Sequence, residues 1–344
     1  MTLPAVTTGD DRSARVTIDA EGLEKRFSSR GRTVTAVAGL SFAVGRGEIF
    51  GLLGPNGAGK TTTMRMLTTL LPIDAGRATI AGVDVAARPA EVRWHLGYVS
   101  QAGGADQLAT GRENLALQGA LYGMGRSELV RRVPELLGLL DLEAIADRRV
   151  KTYSGGQRRR LDVALGIVHD PEVLFLDEPS TGLDPQNRAN LWDHVRALAA
   201  QGTTVVLTTH YLEEADALCD RVVIVDGGRI VAEGRPADLK AADAATSITL
   251  GFHGPAETAR AAEALGHLAG LSDVVLDGGS LRVHAEGGSG VLPEVLRALD
   301  AARVDVASLA LAEVSLDDVF LAATGRSLRD GAAPSIGPMG KASA

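Results

Sequence analysis

The sequence predicts an α/β protein built on a buried, parallel β-sheet and followed by a smaller α+β domain. Three observations support this prediction. An apolar run at residues 48–53 leads into a glycine-rich loop and then into a helical pattern at residues 62–71. Two further all-apolar runs, 173–176 and 204–207, suit parallel strands that are covered on both faces. The C-terminal part alternates short strand and helix patterns, which is typical of an α+β domain.

The length and composition predict two domains with full hydrophobic cores. The chain has 344 residues, 45% of them hydrophobic, and a domain typically takes about 100–200 residues. We place the boundary where the composition becomes alanine-rich, which gives a larger domain at residues 15–240 and a smaller one at residues 241–325. Residues 1–14 and the Gly-, Ser-, Ala- and Pro-rich residues 326–344 are predicted to be disordered tails.

Charge and cysteine content exclude several functions. The net charge of −8 argues against nucleic acid as a partner, because neutralising phosphates requires a basic face. The single cysteine, Cys219, allows no intramolecular disulfide and favours a reducing cytosol. No run of about 18 apolar residues occurs, so a role at a membrane would require docking onto another chain.

Local patterns predict the remaining elements of the larger domain. Residues 15–45 alternate β-rich runs with turns, which indicates a small, mostly antiparallel sheet. Residues 111–147 have helical periodicity, and Pro134 is predicted near a helix start or at a kink. A further helix should follow Ser154. Residues 221–226 and 229–233, joined by two glycines, are predicted to form a closing hairpin.

The C-terminal elements follow a β-α-β-β-α-β order, which is typical of a ferredoxin-like module. Ser315 is predicted to cap a last helix at residues 316–323. The six predicted elements lie at residues 248–252, 257–268, 274–276, 281–284, 292–299 and 304–310.

The glycine-rich loop fits the pattern G-x-x-x-x-G-K-[ST] in full, with a strand before it and a helix after it. Its glycines let backbone N–H groups approach phosphate oxygens, and the helix N-terminus favours the same anion. Lys60 would contact the β- and γ-phosphates, and Thr61 would offer a hydroxyl to Mg²⁺. The predicted phosphate-binding residues are Gly54, Pro55, Asn56, Gly57, Ala58, Gly59, Lys60, Thr61 and Thr62. Alone, this loop indicates only a P-loop NTPase.

Two carboxylates follow the apolar run at residues 173–176. A strand-end aspartate holds Mg²⁺ in P-loop NTPases, which here predicts Asp177 as a metal ligand. Glu178 lies one residue further on, where it could polarise an attacking water. An acidic strand end without a catalytic role is the alternative.

A second phosphate-binding helix start is predicted at Ser154, Gly155, Gly156 and Gln157. These residues offer a hydroxyl and two unhindered N–H groups at the start of an amphipathic helix. One site cannot use two distant helices of the same chain. Two chains related by a twofold axis can each supply one of them, which predicts a dimeric site.

In this order, the motifs resemble those of ABC-transporter nucleotide-binding domains over residues 15–240. The resemblance implies a cassette with a RecA-like core sheet, an antiparallel β subdomain and a helical subdomain. It also implies ATP and Mg²⁺ as cofactors and an ATP-sandwich dimer of two copies. The motifs that carry it are the phosphate loop, Gln101, Ser154 to Gln157, residues 176–179, residues 180–184 and His210.

The resemblance also implies roles for single residues. Gln101 would reach Mg²⁺ and the water, and Glu178 would be the general base. Asp184 would cross the dimer seam, and His210 would contact the γ-phosphate. Phe27 would stack on adenine. Three of these residues have a structural alternative: an exposed turn residue for Gln101, a structural histidine for His210 and a core side chain for Phe27. Residues 158–160, three arginines, are expected to form a solvated helix face without a catalytic role.

Three further stretches, residues 108–115, 161–164 and 316–321, resemble the daunorubicin-resistance type of drug-export ATPase. This finer resemblance implies a subunit that powers efflux of a drug or other hydrophobic compound. Its partner would be a separately encoded integral-membrane permease, which would hold this subunit at the cytoplasmic face of the cell membrane. Related polysaccharide and lipid exporters share parts of these stretches and remain an alternative.

Three functions outside transport stay open at the level of sequence. Soluble ABC ATPases of translation or antibiotic protection usually carry two cassettes, and this chain has one. A DNA-repair ATPase would need a long coiled coil between Lys60 and Ser154, where the interval is short. A third is a regulator that binds ATP without turnover, and the intact set of Lys60, Asp177, Glu178 and His210 argues against it.

Overall fold

The computed structural model describes residues 16–29, 32–242, 245–266, 268, 270–277, 280–286, 288–312 and 315–324. The predicted terminal tails, residues 1–14 and 326–344, lie outside this part of the chain. The chain divides into two compact units between Arg235 and Pro236.

The larger unit is organised around a six-stranded sheet with the order β10-β9-β3-β8-β7-β6. All neighbouring strands run parallel except the hairpin of β9 and β10. Both faces of β3, β7 and β8 are buried, which explains their uninterrupted apolar sequences. The strands are β3 (Ile49–Leu53), β6 (Leu96–Val99), β7 (Val173–Asp177), β8 (Thr204–Thr209), β9 (Arg221–Asp226) and β10 (Arg229–Gly234).

A second, antiparallel sheet has the order β2-β1-β4-β5. The short runs predicted at residues 15–45 are parts of two long, bulged strands. The bounds are β1 (Val16–Ser29), β2 (Arg32–Gly45), β4 (Ala75–Ile80) and β5 (Val83–Asp84). Side chains from both sheets form one continuous core with the first helix.

Helices follow most of the parallel strands, and three of them lie in the long segment of chain between β6 and β7. They are α1 (Lys60–Leu67), α2 (Pro89–His95), α3 (Gly111–Leu121), α4 (Arg126–Leu139), α5 (Gly155–Gly166), α6 (Pro185–Ala200) and α7 (Leu212–Leu218). Helix α1 ends before the predicted residue 71, because Thr69 adopts a left-handed φ of 62°.

Pro134 does not start a helix, because it lies inside α4. A proline there removes one hydrogen bond to the carbonyl of Val130, four residues earlier. Val130 is 70% exposed, so the lost bond falls on the solvent-facing side of the helix. The helix therefore continues through the proline.

Cys219 follows α7 and is buried against Gly51 of β3. Burial raises the pKa of its thiol well above the ordinary value. The thiol therefore stays protonated and unreactive in the folded chain.

The smaller unit contains a four-stranded antiparallel sheet with the order β12-β13-β11-β14. This order confirms the ferredoxin-like arrangement. Its own core is formed by side chains of the sheet and of α9 and α10, among them Ile248, Leu281 and Leu299. The bounds are α8 (Pro236–Ala242), β11 (Ala245–Gly251), α9 (Pro255–Leu265), β12 (Leu271–Asp277), β13 (Ser280–Glu286), α10 (Leu292–Ala301), β14 (Ser308–Ala312) and α11 (Leu316–Thr324).

The last strand begins four residues later than predicted. Val304 is buried and Val306 is partly buried against the core, but both precede β14. Their alternation with polar residues imitates a strand, although they only anchor the segment after α10. Pairing starts where Ala307 N donates to Gly251 O at 2.8 Å. Ser315 caps α11 as predicted, because its Oγ accepts from Asp318 N at 3.3 Å.

Within the described residues, no helix is long and apolar enough to cross a membrane.

Candidate functional site

Four loops meet at one edge of the parallel sheet. Strands β3, β8, β7 and β6 are consecutive neighbours, so their carboxyl ends lie side by side. The glycine-rich loop follows β3, and His210 follows β8. Glu178 follows β7, and the segment with Gln101 follows β6. This is the edge at which open α/β sheets bind ligands.

The glycine-rich loop needs glycine for steric reasons at two positions. Gly54 and Gly59 have φ values of 147° and 107°, which side chains rarely adopt. A Cβ atom added at Gly54 would collide with the carbonyl oxygen of Val225, and one at Gly59 with that of Ala36. The loop therefore fits closely against β9 and β2, with its backbone pre-shaped for an anion.

Lys60 is 4% exposed, and its ammonium is held by the loop itself. Nζ donates to Gly54 O at 2.6 Å and to Pro55 O at 3.0 Å. Burial lowers the pKa of Lys60, and the nearby carboxylates of Glu178 and Asp177 oppose that shift. The loop's own carbonyls thus fix the position of the ammonium.

Asp177 is surrounded by hydroxyl groups at the end of β7. Its Oδ1 accepts from Thr208 Oγ1 at 2.6 Å and from Thr61 Oγ1 at 3.2 Å. Its Oδ2 accepts from the Tyr98 hydroxyl at 3.4 Å. The sequence predicted Thr61 and Asp177 to share a site, and the structure brings them together. It adds Thr208 and Tyr98, which sequence reasoning missed.

The carboxylate of Glu178 is the meeting point of three loops. Its Oε2 accepts from Gln101 Nε2 at 2.8 Å and from Thr181 Oγ1 at 3.2 Å. Its Oε1 lies 3.4 Å from His210 Nδ1, within ion-pair distance but without hydrogen-bond geometry. Gln101, Glu178 and His210 are therefore neighbours, as the sequence predicted.

The backbone of Glu178 is strained. Its φ of 46° is left-handed, which costs a residue with a side chain about 1–2 kcal/mol. Its N–H group donates to the Thr208 carbonyl at 3.1 Å and to Thr208 Oγ1 at 3.0 Å. Such strain persists only where surrounding contacts hold it, and it often marks a functional position.

Ser154 caps helix α5. Its Oγ accepts from Gln157 N at 3.2 Å, and its own N–H donates to Gln157 Oε1 at 2.9 Å. The first-turn N–H groups of Gly155 and Gly156 have no acceptor within the helix, as at every helix start. Gly156 also has a packing reason to be glycine, because an added Cβ would collide with the side chain of Asn187.

Asp184 caps helix α6. Its Oδ1 accepts from Asn187 N at 2.9 Å and its Oδ2 from Asn187 Nδ2 at 2.6 Å. These bonds lower the pKa of Asp184. The Asn187 side chain thus joins the cap of α6 to the start of α5. Ser154 and Gln157 bond to each other at the start of α5, and these two bonds involve no residue of the phosphate loop.

Phe27 lies on β1 and is 43% exposed, so it is not a core side chain. The ammonium of Lys25 stands 5.8 Å from the centroid of its ring. Its strand partner, Val34, is also exposed. The pair presents an apolar surface that a flat ring could cover.

The expectation of a solvated arginine face at residues 158–160 is wrong for Arg159. This residue is 7% exposed, and its guanidinium donates to three main-chain carbonyls. Helical spacing could have shown this, because Gly156, Arg159 and Val163 lie on one buried face of α5.

A buried carboxyl group, Glu214 on α7, was also missed. It is fully buried, and its Oε1 accepts from Trp192 Nε1 at 3.1 Å. Burial raises its pKa, opposed chiefly by the hydroxyls of Thr209 and Ser180. Glu214 thus lies between the segments that follow β7 and β8.

Two family models match the chain. The one described as ABC transporter matches residues 37–181. The one described as the C-terminal domain of DrrA1-3-like ATP-binding proteins matches residues 234–324.

Several similar proteins align with this chain over almost their whole length. Daunorubicin resistance ATP-binding protein DrrA2 of Streptomyces coeruleorubidus is 46% identical, over 90% of this chain and 95% of its own length. Doxorubicin resistance ATP-binding protein DrrA of Mycobacterium tuberculosis is 42% identical, over 91% and 95%. Nod factor export ATP-binding protein I of Burkholderia lata is 40% identical, over 91% and 98%.

Solved structures agree with the fold. An ATP-binding subunit of an ABC transporter superposes with a TM-score of 0.58 at 28% identity, covering 66% of this chain and 92% of the other. The cassette MJ0796, in a dimer bound to ADP and Pi, has a TM-score of 0.58 at 23% identity, covering 63% and 98%, and shows the fold alone.

The chain therefore belongs to the ABC transporter family as an ATP-binding subunit that hydrolyses ATP. Within that family, it is similar to the DrrA group through both units, including the C-terminal domain.

Proposed function

We propose that this chain powers an exporter and that Glu178 is the general base of its ATPase. The observation that carries the proposal is the convergence on the Glu178 carboxylate of Gln101, Thr181 and His210 from three loops. A carboxylate held at the mouth of the phosphate loop can accept a proton from an attacking water. Gln101 and His210 orient that water and contact the γ-phosphate.

The phosphates bind in the loop formed by residues 54–59, with Lys60 and Thr61 at the helix start and Thr62 beside them. Lys60 exchanges its loop carbonyls for phosphate oxygens, which better satisfy a buried ammonium. The exposed ring of Phe27 stacks on adenine, since a π-face covers a flat base well.

Mg²⁺ fits the oxygen donors beside the loop. Thr61 Oγ1 and Asp177 Oδ1 are 3.2 Å apart, and both are hard oxygen ligands of the kind Mg²⁺ prefers. Gln101 would be the third residue to hold the ion. When bound, the ion neutralises charge on the transferred phosphoryl group.

Two copies of the chain enclose two nucleotides. Ser154, Gly155, Gly156 and Gln157 of one copy face the γ-phosphate in the loop of the other. The Ser154 Oγ accepts within its own helix, so its hydrogen remains available to donate. Asp184, fixed by its two bonds to Asn187, lies at the seam between the copies.

A separately encoded integral-membrane permease is the second partner. Helix α3 exposes Leu117 and Leu121, which are 60% and 73% accessible, and Trp94 of α2 is 56% accessible. Exposed apolar side chains of this kind mark protein interaction sites. Docking there places the chain at the cytoplasmic face of the membrane.

The exported compound is a drug or another hydrophobic molecule. The named relatives that support this are daunorubicin and doxorubicin resistance proteins, which match through both units. A second candidate is a lipid or saccharide exporter, because a Nod factor export protein matches over the same span. Export of drug or of glycolipid from vesicles that contain the paired permease distinguishes the two.

The Glu178→Gln variant tests the proposed base. We expect it to bind MgATP with unchanged affinity and to form a stable dimer, while kcat falls by about 10²–10⁴-fold. Phosphate release and size-exclusion chromatography with MgATP measure these effects. The Glu213→Gln variant removes the same charge from an exposed side chain and should keep the full rate. A Glu178→Gln protein with a normal rate would exclude Glu178 as the base.

A further inference from the structure

The guanidinium of Arg159 is surrounded by main chain. Nε donates to Pro179 O at 2.8 Å, Nη1 to Ser100 O at 2.7 Å, and Nη2 to Asp177 O at 3.0 Å. Each of the three nitrogens therefore has its own acceptor, and the planar fork is held in one orientation.

All three acceptors lie next to proposed catalytic residues. Ser100 immediately precedes Gln101, and Asp177 and Pro179 stand on either side of Glu178. The guanidinium thus spans the strained left-handed residue and ties it to the start of the Gln101 loop. A strained backbone needs contacts of this kind to stay in place.

A second side chain of α5 holds the other end of the same loop. Asp162 Oδ1, one turn after Arg159, accepts from Gly104 N at 2.9 Å and from Ala105 N at 3.3 Å. Ser100 closes the loop, because its Oγ donates to Gly103 O at 3.1 Å. The loop is therefore attached to α5 at both ends.

Because the guanidinium of Arg159 is buried, it requires its three hydrogen bonds to main-chain carbonyls. A charge removed from water is costly unless it is paired and hydrogen-bonded. Burial lowers the pKa of Arg159, while the carboxylates of Asp162 and Asp177 favour its charged form. If a carbonyl of the Gln101 loop or of the Glu178 segment moved away, a guanidinium nitrogen would lose its acceptor in the interior.

We propose that Arg159 is a positioning residue that fixes Gln101 and Glu178 through their main chain. The proposal rests on the proposed function of Glu178. Because α5 begins at Ser154, the helix that faces the partner's nucleotide also holds the catalytic loops of its own site.

The Arg159→Lys and Arg159→Met variants of the full-length chain test this proposal. Lysine keeps the charge but loses the fork, and methionine keeps the apolar stem alone. We expect kcat to fall by about 100-fold in Arg159→Met, the cost of a misplaced catalytic group, and by less in Arg159→Lys. The Kd for MgATP, measured with a fluorescent nucleotide, should stay within about threefold, because Lys60 and its loop are untouched.

Arg132→Met is the matched structural control. Arg132 also donates to two carbonyls, those of Ile167 and Val168 at 2.9 and 3.2 Å, but at the opposite end of α5. We expect it to lower the Tm as Arg159→Met does while it keeps kcat. Equal losses of kcat in the two variants would show that Arg159 acts only through stability. If Arg159→Met does not fold, the same comparison is made with Arg159→Lys.

A double-mutant cycle with Glu178→Gln separates positioning from other effects. If Arg159 acts by placing Glu178, the Arg159→Lys loss should shrink in the Glu178→Gln background in single-turnover assays. Additive losses would overturn the positioning role. A normal rate in Glu178→Gln alone would instead overturn the proposed base, so the two failures are distinguishable.

Discussion

At the scale of single residues, two adjacent carboxylates have opposite surroundings. Asp177 is 4% exposed and accepts bonds from Thr208, Thr61 and Tyr98. The left-handed backbone of Glu178 directs the next carboxylate towards Gln101 and its loop instead. The left-handed conformation of Glu178 thus directs two adjacent carboxylates to different surroundings, one proposed as a metal ligand and the other as a base.

The buried Glu214 should make stability depend on pH. Because burial raises its pKa, the folded chain keeps a proton that the unfolded chain loses above the ordinary value of 4.5. The free energy of unfolding is therefore highest below pH 4.5, and it falls as the pH rises through the folded pKa of Glu214. The guanidinium of Arg188 opposes the shift of the Glu214 pKa, and burial raises the pKa of the Cys219 thiol, which keeps it neutral.

The Glu214→Gln variant should remove this dependence. An amide keeps an acceptor for Trp192 but cannot ionise, so the free energy of unfolding of the variant should exceed that of the native chain increasingly as the pH rises above 4.5. Urea unfolding at each pH measures the difference. Glu213→Gln, at an exposed position, should follow the native curve. Parallel curves for Glu214→Gln and the native chain would show that Glu214 ionises normally.

Contiguous motifs made much of the site predictable from sequence. Lys60, Asp177 and Glu178 each follow a recognisable strand, and the parallel order then brings them to one edge. Motifs did not identify Thr208 and Arg159, because packing across β7, β8 and α5 brings them to the site; helical spacing indicates that Arg159 is buried but not which carbonyls it contacts. Their residue types are common on surfaces, and only burial gives them significance.

At the scale of elements, the start of a helix can stabilise the helix by capping and can also bind a ligand. Helices α3 and α5 both begin with a capping box, Thr110 with Glu113 and Ser154 with Gln157. The two boxes are equivalent for the stability of their helices. Only the start of α5 is proposed to face a nucleotide.

Paired cap variants separate these roles. Ser154→Ala and Thr110→Ala should each lower the free energy of unfolding by about 1 kcal/mol, the usual cost of a lost cap. Only Ser154→Ala should also reduce the ATPase rate and the MgATP-dependent dimer. Urea unfolding, phosphate release and size-exclusion chromatography measure the three effects. Equal ATPase losses would mean that Ser154 acts as a cap alone.

Sequence periodicity predicted most elements but not all of their ends. Strands β7 and β8 are continuous apolar runs, so their type and position followed directly. The start of β14 was predicted too early. Val304 and Val306 alternate with polar residues as in a strand, but they lie in the loop before it. Pro134 lies inside α4 and not at its start, so of its two predicted positions the helix start is wrong.

At the scale of the whole molecule, each unit has its own core. The larger unit packs its two sheets together with α1, and the smaller one packs its sheet with α9 and α10. We infer from this a two-domain organisation, with the predicted boundary at residues 240–241 close to the division at Arg235.

Calorimetry should therefore show two unfolding transitions. MgADP should raise the Tm of one transition, that of the nucleotide-binding unit, in a concentration-dependent way, because a ligand stabilises only the domain that binds it. The second transition should stay in place. A single transition that shifts as a whole would show that the two units unfold together.

Buried Cys219 gives the chain a practical property. It is the only cysteine of the sequence, and its packing against Gly51 leaves the thiol protonated and enclosed. Maleimide probes should thus leave the native fold unmodified and react with a cysteine introduced at the surface. Spin or fluorescent labels at the start of α5 could then report dimer closure by distance, in a protein that needs no prior cysteine removal.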